Sequence, residues 1–288
     1  MDVSIGVMAY NEEGNINSLL NALLRQETKQ VFIKEIIVVS SGSTDNTCKI
    51  VKSVASKEKK VKLIEEKTRK GKSHAINLFL KKAKSDILIL ISADTIPEKQ
   101  AIENLCKPLK NKSIGIVGGK PLPIKTNKKF FNFLSSFLWQ IHHEIALLKP
   151  KFGELIAFKK VISSIPSTSV DEEEIASLIF KKKFQGVYSP KAKILNKGPQ
   201  NISDFLSQRR RIFAGHLSLR KKEYTPTTMN LFLIIKIIFL KTNFFWKNPI
   251  YFIFACLLEI VGRLLGVVDF YLKKQHVIWK IARSTKKF

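Results

Sequence analysis

Short runs of branched aliphatic residues alternate, through the first half of the chain, with stretches whose apolar positions repeat every three or four residues. The first pattern is that of strands buried on both faces, the second that of amphipathic helices. Residues 4–10 predict a strand, and after a polar break at 11–15 the positions Ile16, Leu19, Leu20, Leu23 and Leu24 predict a helix. Residues 36–39 give a second strand, after which Thr44 or Asp45 can cap a helix to about residue 56. A third short strand is expected at 61–64, a helix from Arg69 through Leu80, and the most apolar strand at 86–91. Pro97 is expected to stop that strand ahead of a helix over 98–109, and 114–119 is a further strand ending in glycines. This alternation predicts an α/β fold with a mostly parallel sheet and helices on both faces.

The second half is less regular. Residues 130–148 form an aromatic-rich helical stretch with Trp139, His142, His143 and Glu144 in its middle. Adjacent histidines diverge by about a quarter-turn on a helix, so packing is the expected role of this pair rather than a shared metal. A strand is expected at 153–158. The acids 171–174 crowd the start of a helix marked by Ile175, Leu178 and Ile179. Residues 185–188 turn into another short strand, and 205–219 read as a helix bearing Gln208, Arg209, Arg210, Arg211 and Ile212, with His216 close behind as an acceptor-site candidate. Pro226 closes the first domain, giving a division into 1–225 and 226–288.

Two apolar segments fill the second part: 231–240, broken by Lys236, and 249–270, which carries Glu259 and Arg263. A membrane span needs about twenty apolar residues, and the second segment qualifies only if Glu259 and Arg263, one turn apart, pair with each other. A basic tail over 273–287 belongs on the cytoplasmic side, so the two segments either form a hairpin or both lie in the interface. The interfacial arrangement is favoured, since Lys241 and Lys247 would otherwise sit on the far side. No signal peptide is expected, because residues 3–8 already read as a strand.

Charge narrows the partners. Fifty Lys and Arg against 23 Asp and Glu give a net charge of +27, which calls for an anionic partner: nucleic acid, anionic lipid or a phosphorylated substrate. Cys48, Cys106 and Cys256 are far apart and form no pairing or metal-binding pattern, as in a reducing cytosol. The most apolar strand delivers one acid, Asp94, to the carboxyl edge of the sheet, where open α/β folds bind ligands. A carboxylate there suits a hard divalent cation carrying a diphosphate, or else simply caps the next helix.

The order Ala9-Tyr10-Asn11-Glu12, residues 40–47, Gly71-Lys72, Ser92-Ala93-Asp94, Asp171-Glu172 and Gln208 to Ile212 resembles the family 2 glycosyltransferases of the GT-A fold, as far as about residue 224. The resemblance implies an inverting transfer of a sugar from a nucleotide-diphosphate sugar, with a UDP-sugar favoured, to a lipid-linked or saccharide acceptor at the cytoplasmic face of a membrane. It implies donor contacts from Ala9, Tyr10, Asn11, Glu12, Ser41, Lys72, Ala93, Gln208 and Arg210, and a divalent cation, Mg²⁺ or Mn²⁺, on Asp94. It implies Glu172 as general base beside Asp171, with a one-residue slip possible, and Arg211 on the diphosphate. The chain departs from the family pattern at Ser40 and Ser41, where the family has aspartates, at Ser92 for the first acid of the metal motif, and at Ile212 for a tryptophan.

Two other classes compete. A non-enzymatic basic protein binding nucleic acid or anionic membranes would need neither Asp94 nor Glu172, and its binding would fall steeply with salt. A nucleotidyltransferase could use a similar sheet, a metal and a nucleotide, but has no use for the acidic pair or the arginine helix. No nucleic-acid partner is expected.

Overall fold

The computed structural model describes every residue except 242, 275, 280, 281, 287 and 288, so Lys287 of the expected basic tail lies outside the described residues. In chain order the elements are β1 (Asp2–Ala9), α1 (Ile16–Leu24), β2 (Phe32–Ser41), α2 (Thr47–Lys57), β3 (Val61–Glu66), α3 (Lys72–Lys82), β4 (Ile87–Ser92), β5 (Thr95–Pro97), α4 (Ala101–Cys106) and β6 (Ile114–Pro123). They continue with α5 (Lys129–Leu148), β7 (Leu155–Lys159), α6 (Asp171–Lys181), β8 (Gln185–Asn196), α7 (Ile202–Lys221), α8 (Leu231–Lys241), α9 (Phe244–Lys247) and α10 (Pro249–Tyr271).

Eight strands form one sheet in the order β3-β2-β1-β4-β7-β6-β8-β5. The half built from β3, β2, β1 and β4 is parallel throughout. Strand β7 then runs antiparallel to both β4 and β6, and β5 antiparallel to β8, so the sheet is mixed where a mostly parallel one was expected. Residues of successive strands alternate between two cores. Val3, Ile5, Val7, Ile36, Val38, Ile89 and Ile91 pack under α1, α2 and α4, while Ile37, Val39, Leu88 and Leu90 pack under α3 and α6. At Gly6 the ring of Phe79 comes so close that a Cβ would lie 2.7 Å from it, which fixes α3 flat against β1.

The expected strand end at Pro97 is corrected. Strand β4 stops at Ser92, Ala93 and Asp94 form a two-residue turn, and Pro97 closes the short edge strand β5, where its missing N–H costs nothing. Thr95 Oγ1 donates to the Ser92 carbonyl at 2.7 Å and closes the turn.

A third apolar cluster joins α5, α8 and α10 to Phe205 of α7. Gly262 and Gly266 let α10 lie directly on α7, since a Cβ at either would meet Arg209 or the Arg210 carbonyl within 2.8 Å. Glu259 pairs with Arg263 at 2.8 Å, as its spacing predicted, and also with Arg209 of α7 at 2.7 Å. Asp269, fully buried, takes both arms of the Arg210 guanidinium and a 2.8 Å contact from His276 Nε2. The opposite face of α10 is exposed and wholly apolar, with Ile250, Ile253, Leu257, Ile260, Leu264 and Val268 at helical spacing.

The histidine pair packs, as expected. His142 is buried edge-on against Trp139, and His143 Nδ1 lies 2.9 Å from the Tyr188 hydroxyl. Burial, with the Lys151 and His143 charges adding to it, pushes His142 well below the usual histidine value of 6.5. The folded chain therefore leaves this ring neutral where the unfolded chain protonates it, and its contribution to stability is lost as pH falls below about 6.5. His142→Leu should accordingly gain thermal stability relative to the parent as pH is lowered from 7.5 to 5. Scanning calorimetry of the two proteins side by side isolates this ring from every other titrating group, and parallel pH profiles would refute the prediction.

Candidate functional site

The carboxyl ends of the parallel strands open into a cavity of about 700 Å³, a size suited to small-molecule ligands. Ala9, Tyr10 and Glu12 line it from the end of β1, Ser41 from β2, Lys72 from the start of α3, and Ser92, Ala93 and Asp94 from the turn after β4. Gln208, Arg210 and Arg211 reach it from α7. From the tail, residues 276–279 together with Ala282, Thr285 and Lys286 also line it.

At the β1–β2 end, the Ser41 hydroxyl is buried without a hydrogen-bond partner among the described residues. Arg69 stacks its guanidinium 3.9 Å from the centre of the Tyr10 ring. Glu12 is buried, accepts from Asn15 Nδ2 at 2.9 Å and pairs with Lys286 from the tail. Its carboxyl is raised to about 7, first by desolvation and then by the charge of Asp94, with Lys286 pulling the other way. Asn11 is absent from the lining. It adopts a left-handed backbone (φ 51°), and its Oδ1 accepts from the Thr44 backbone N–H at 2.8 Å, so it braces the turn after β2.

At the other end, Lys72 Nζ meets Glu172 Oε1 at 2.5 Å. Burial works against the Lys72 charge, but Glu172 and Asp171 outweigh it and raise its pKa. Glu172 thus sits at the first turn of α6 with its carboxylate turned to the cavity-lining lysine. Asp171 is fully buried, and its Oδ1 accepts from Ser73 Oγ at 2.6 Å. Burial raises the Asp171 carboxyl to about 6, with Lys72 opposing and Glu172 reinforcing the shift.

The three arginines of α7 divide by helical angle. Arg209 and Arg210 turn to Glu259 and Asp269 of α10, so Arg210, although it lines the cavity, spends its fork on the helix pair. Arg211 donates to the Ser169 carbonyl and stays beside the acids. Desolvation lowers its pKa to about 10, against the pull of Asp171, Glu172 and Glu154. His216 lines no part of the cavity. It is buried behind the arginines, with its pKa pushed far down by burial and by the charges of Lys151, Arg209, Arg263 and Arg211. The structure does not bring His216 together with the cavity residues.

Sequence reasoning missed three contributors. Glu154 faces Asp94 from the loop before β7, and is raised to about 7 by burial and then by the charges of Asp94 and Glu172; only the Gly153-Glu154 step before an apolar run hinted at it. Arg69 sat unremarked in a basic stretch. Trp279 lies in the tail read as merely basic, yet its ring centre is 3.5 Å from the Arg211 guanidinium carbon.

The cavity acids bear on whether a divalent cation fits. Glu12 and Glu154 are both pushed toward neutrality, first by burial and then by the Asp94 charge, a crowding of hard oxygen donors that a bound cation would relieve. Among the described residues no group of three His, Cys, Asp or Glu could hold a metal ion by itself. Asp94, with Glu12 and Glu154 in the same lining, offers hard oxygen donors of the kind a divalent cation takes.

Comparison with known proteins gives consistent results. Residues 4–170 match the family described as glycosyl transferase family 2. A poly-beta-1,6-N-acetyl-D-glucosamine synthase of Staphylococcus epidermidis is 29% identical over 120 residues, covering 41% of this chain and 28% of that protein. A dolichyl-phosphate beta-glucosyltransferase of Trichomonas vaginalis is 30% identical over 124 residues, covering 40% and 37%. The matched stretch thus spans well under half the length of these relatives. Among solved structures, a mannosyltransferase from Pyrobaculum calidifontis in complex with GDP-Man and Mn²⁺ superposes with a TM-score of 0.71 at 18% identity, over 94% of this chain and 87% of that one. Glucosyl-3-phosphoglycerate synthase from Mycobacterium tuberculosis, in complex with Mn²⁺, UDP and glucosyl-3-phosphoglycerate, gives 0.54 at 19% identity over 75% and 78%. These two likenesses establish the fold, which is that of GT-A glycosyltransferases.

Proposed function

The chain belongs to glycosyl transferase family 2, and we propose that it moves a sugar, with inversion, from a nucleotide-diphosphate donor to a lipid-linked or saccharide acceptor at the cytoplasmic face of a membrane. A UDP-sugar is the donor favoured. The observation that carries this reading is the convergence of Asp94, Lys72 and Arg211 on one cavity from three separate elements, with Glu172 paired to Lys72 at 2.5 Å just behind that lining. Tyr10 with Arg69, and the unpaired Ser41 hydroxyl, offer a stacking surface and a hydrogen bond for base or ribose. Asp94 would hold Mg²⁺ or Mn²⁺, which when bound neutralises charge on the departing diphosphate. Arg211 supports the same charge from the opposite wall.

Glu172 takes the proton of the attacking acceptor hydroxyl as the anomeric carbon's bond to the diphosphate oxygen breaks. Lys72 fixes that carboxylate in place. Asp171 serves by position: its Oδ1 is bound to Ser73 and it has no exposed surface, so it anchors the start of α6. Ala9, Ala93 and Gln208 form cavity wall, Asn11 holds the neighbouring turn, and Arg210 holds α7 to α10.

The apolar outer face of α10 supports a membrane-bound state for residues 226–288. Its inner face is committed to α7, a helix carrying Arg209, Arg220 and Lys221, so α10 cannot cross a bilayer without dragging those charges in. We take α8 and α10 to lie in the interface, with Phe232, Phe239, Leu257 and Leu264 in the acyl boundary.

Three expectations follow from these roles. Glu172→Gln should lower sugar transfer by roughly a hundred- to ten-thousandfold with donor affinity unchanged, as expected on loss of a general base. Asp171→Asn should do less harm, and if it is instead the inactive variant, Asp171 is the base. Asp94→Ala should keep its unfolding temperature but lose Mn²⁺-dependent binding of UDP-glucose or GDP-mannose in calorimetry; retained binding would remove Asp94 from the cation site. Paired Leu257→Glu and Leu264→Glu substitutions should release the protein from anionic vesicles, and alkaline carbonate should extract the parent protein, whereas resistance to extraction would mean that α10 spans.

A further inference from the structure

The described residues of the tail, 276–279 and 282–286, are tied to the cavity at two places. At one end Lys286 binds Glu12 and the Tyr10 carbonyl, and Asn15 Nδ2 reaches the Thr285 carbonyl at 3.4 Å. At the other, His276 is bound to Asp269, and the Val277 carbonyl presses on Gly71, where a Cβ would lie 2.7 Å from it. Gly71 has φ 94°, so the turn that opens α3 is shaped for this approach. Between these ties Arg69 donates to the Trp279 carbonyl at 2.6 Å, and the Trp279 ring sits 3.5 Å from Arg211 and 5.5 Å from Lys72 Nζ. The indole therefore stands over the two cations that flank Glu172. Its own N–H is buried and has no partner among the described residues. The tail roofs a cavity of about 700 Å³ without filling it.

A buried indole N–H that donates to nothing is destabilising unless a ligand accepts it. Residue 212, next to Arg211 on α7, is an isoleucine and brings no ring to this wall. We propose that Trp279 is a donor-binding residue: seated on Arg211, it closes the catalytic end of the cavity and gives its N–H to an oxygen of the bound nucleotide sugar, on the diphosphate or on the sugar. The assignment rests on the donor site proposed above. The ring's second effect is to hold the Arg211 guanidinium at the site through the cation–π contact, which is strongest where water is excluded.

The test uses the full-length chain with Mn²⁺ and calorimetric titration of UDP, GDP, UDP-glucose and GDP-mannose against the parent, Trp279→Phe and Trp279→Ala. Phenylalanine keeps a ring on Arg211 but removes the N–H, and should weaken binding about tenfold, close to 1.4 kcal/mol; alanine should weaken it further. Weakening of the bare diphosphates places the N–H on the diphosphate, and weakening of the sugar nucleotides alone places it on the sugar. A second measurement needs no loss of function: with Trp139 and Trp246 changed to phenylalanine, Trp279 emission should change on addition of the nucleotide that the parent binds. Parent-like affinity in both variants, with unchanged emission, overturns the assignment while leaving the donor site intact. Tighter binding in Trp279→Ala overturns it too, because the tail would then compete with the donor. No binding of any probe by the parent removes the donor site itself, and the Trp279 assignment with it.

Discussion

Crowding carboxylates into a desolvated cavity is costly, because each raises the energy of its neighbours' charged forms. Here Glu12, Asp94, Glu154, Asp171 and Glu172 all gather at one sheet edge, and desolvation together with mutual repulsion moves Glu12, Glu154 and Asp171 toward neutrality. The remaining architecture answers that repulsion. Lys72 comes from α3, Arg211 from α7 and Lys286 from the far end of the chain, and each faces an acid that would otherwise stand alone. A site of this kind interleaves acids with cations, so its net charge stays low while its local fields are strong.

The second organising contact is the α7–α10 pair. Buried ion pairs are poor sources of net stability, but breaking one leaves an uncompensated charge. Glu259 with Arg209 and Arg263, and Asp269 with Arg210 and His276, therefore fix the register of one helix on the other more than they strengthen it. That register matters because α7 carries Arg211 and α10 launches the tail. The apolar outer face of α10 is thus mechanically continuous with the cavity wall that Arg211 forms.

The parallel half of the sheet was legible because strands buried on both faces leave uninterrupted aliphatic runs, as at 36–39 and 87–91. The mixed half was not. Strand β8 is twelve residues long, but Pro190, Lys191 and Lys193 interrupt its apolar pattern on a partly exposed edge, and β5 hides behind Pro97. Asp94, Lys72, Asp171 and Glu172 stand in short motifs at element ends, and Arg211 in one midway along α7, so local pattern could single them out. Glu154 and Trp279 were not, since each reaches the cavity only through the path of a loop or tail, which no local pattern encodes. The pairing of Arg210 with Asp269 was hidden for a related reason, since the two are 59 positions apart on different helices.

The tie between Lys286 and Glu12 joins residues 274 positions apart. Chains emerge from the ribosome amino end first, and contacts of such separation form only after everything between them is in place. The parallel half-sheet with its acids can fold early, whereas its roof must wait for α10 to settle on α7 and for the tail to come back across the opening. A nascent chain therefore holds an open, charge-rich cleft until the residues around Trp279 and Lys286 have been made and dock against it.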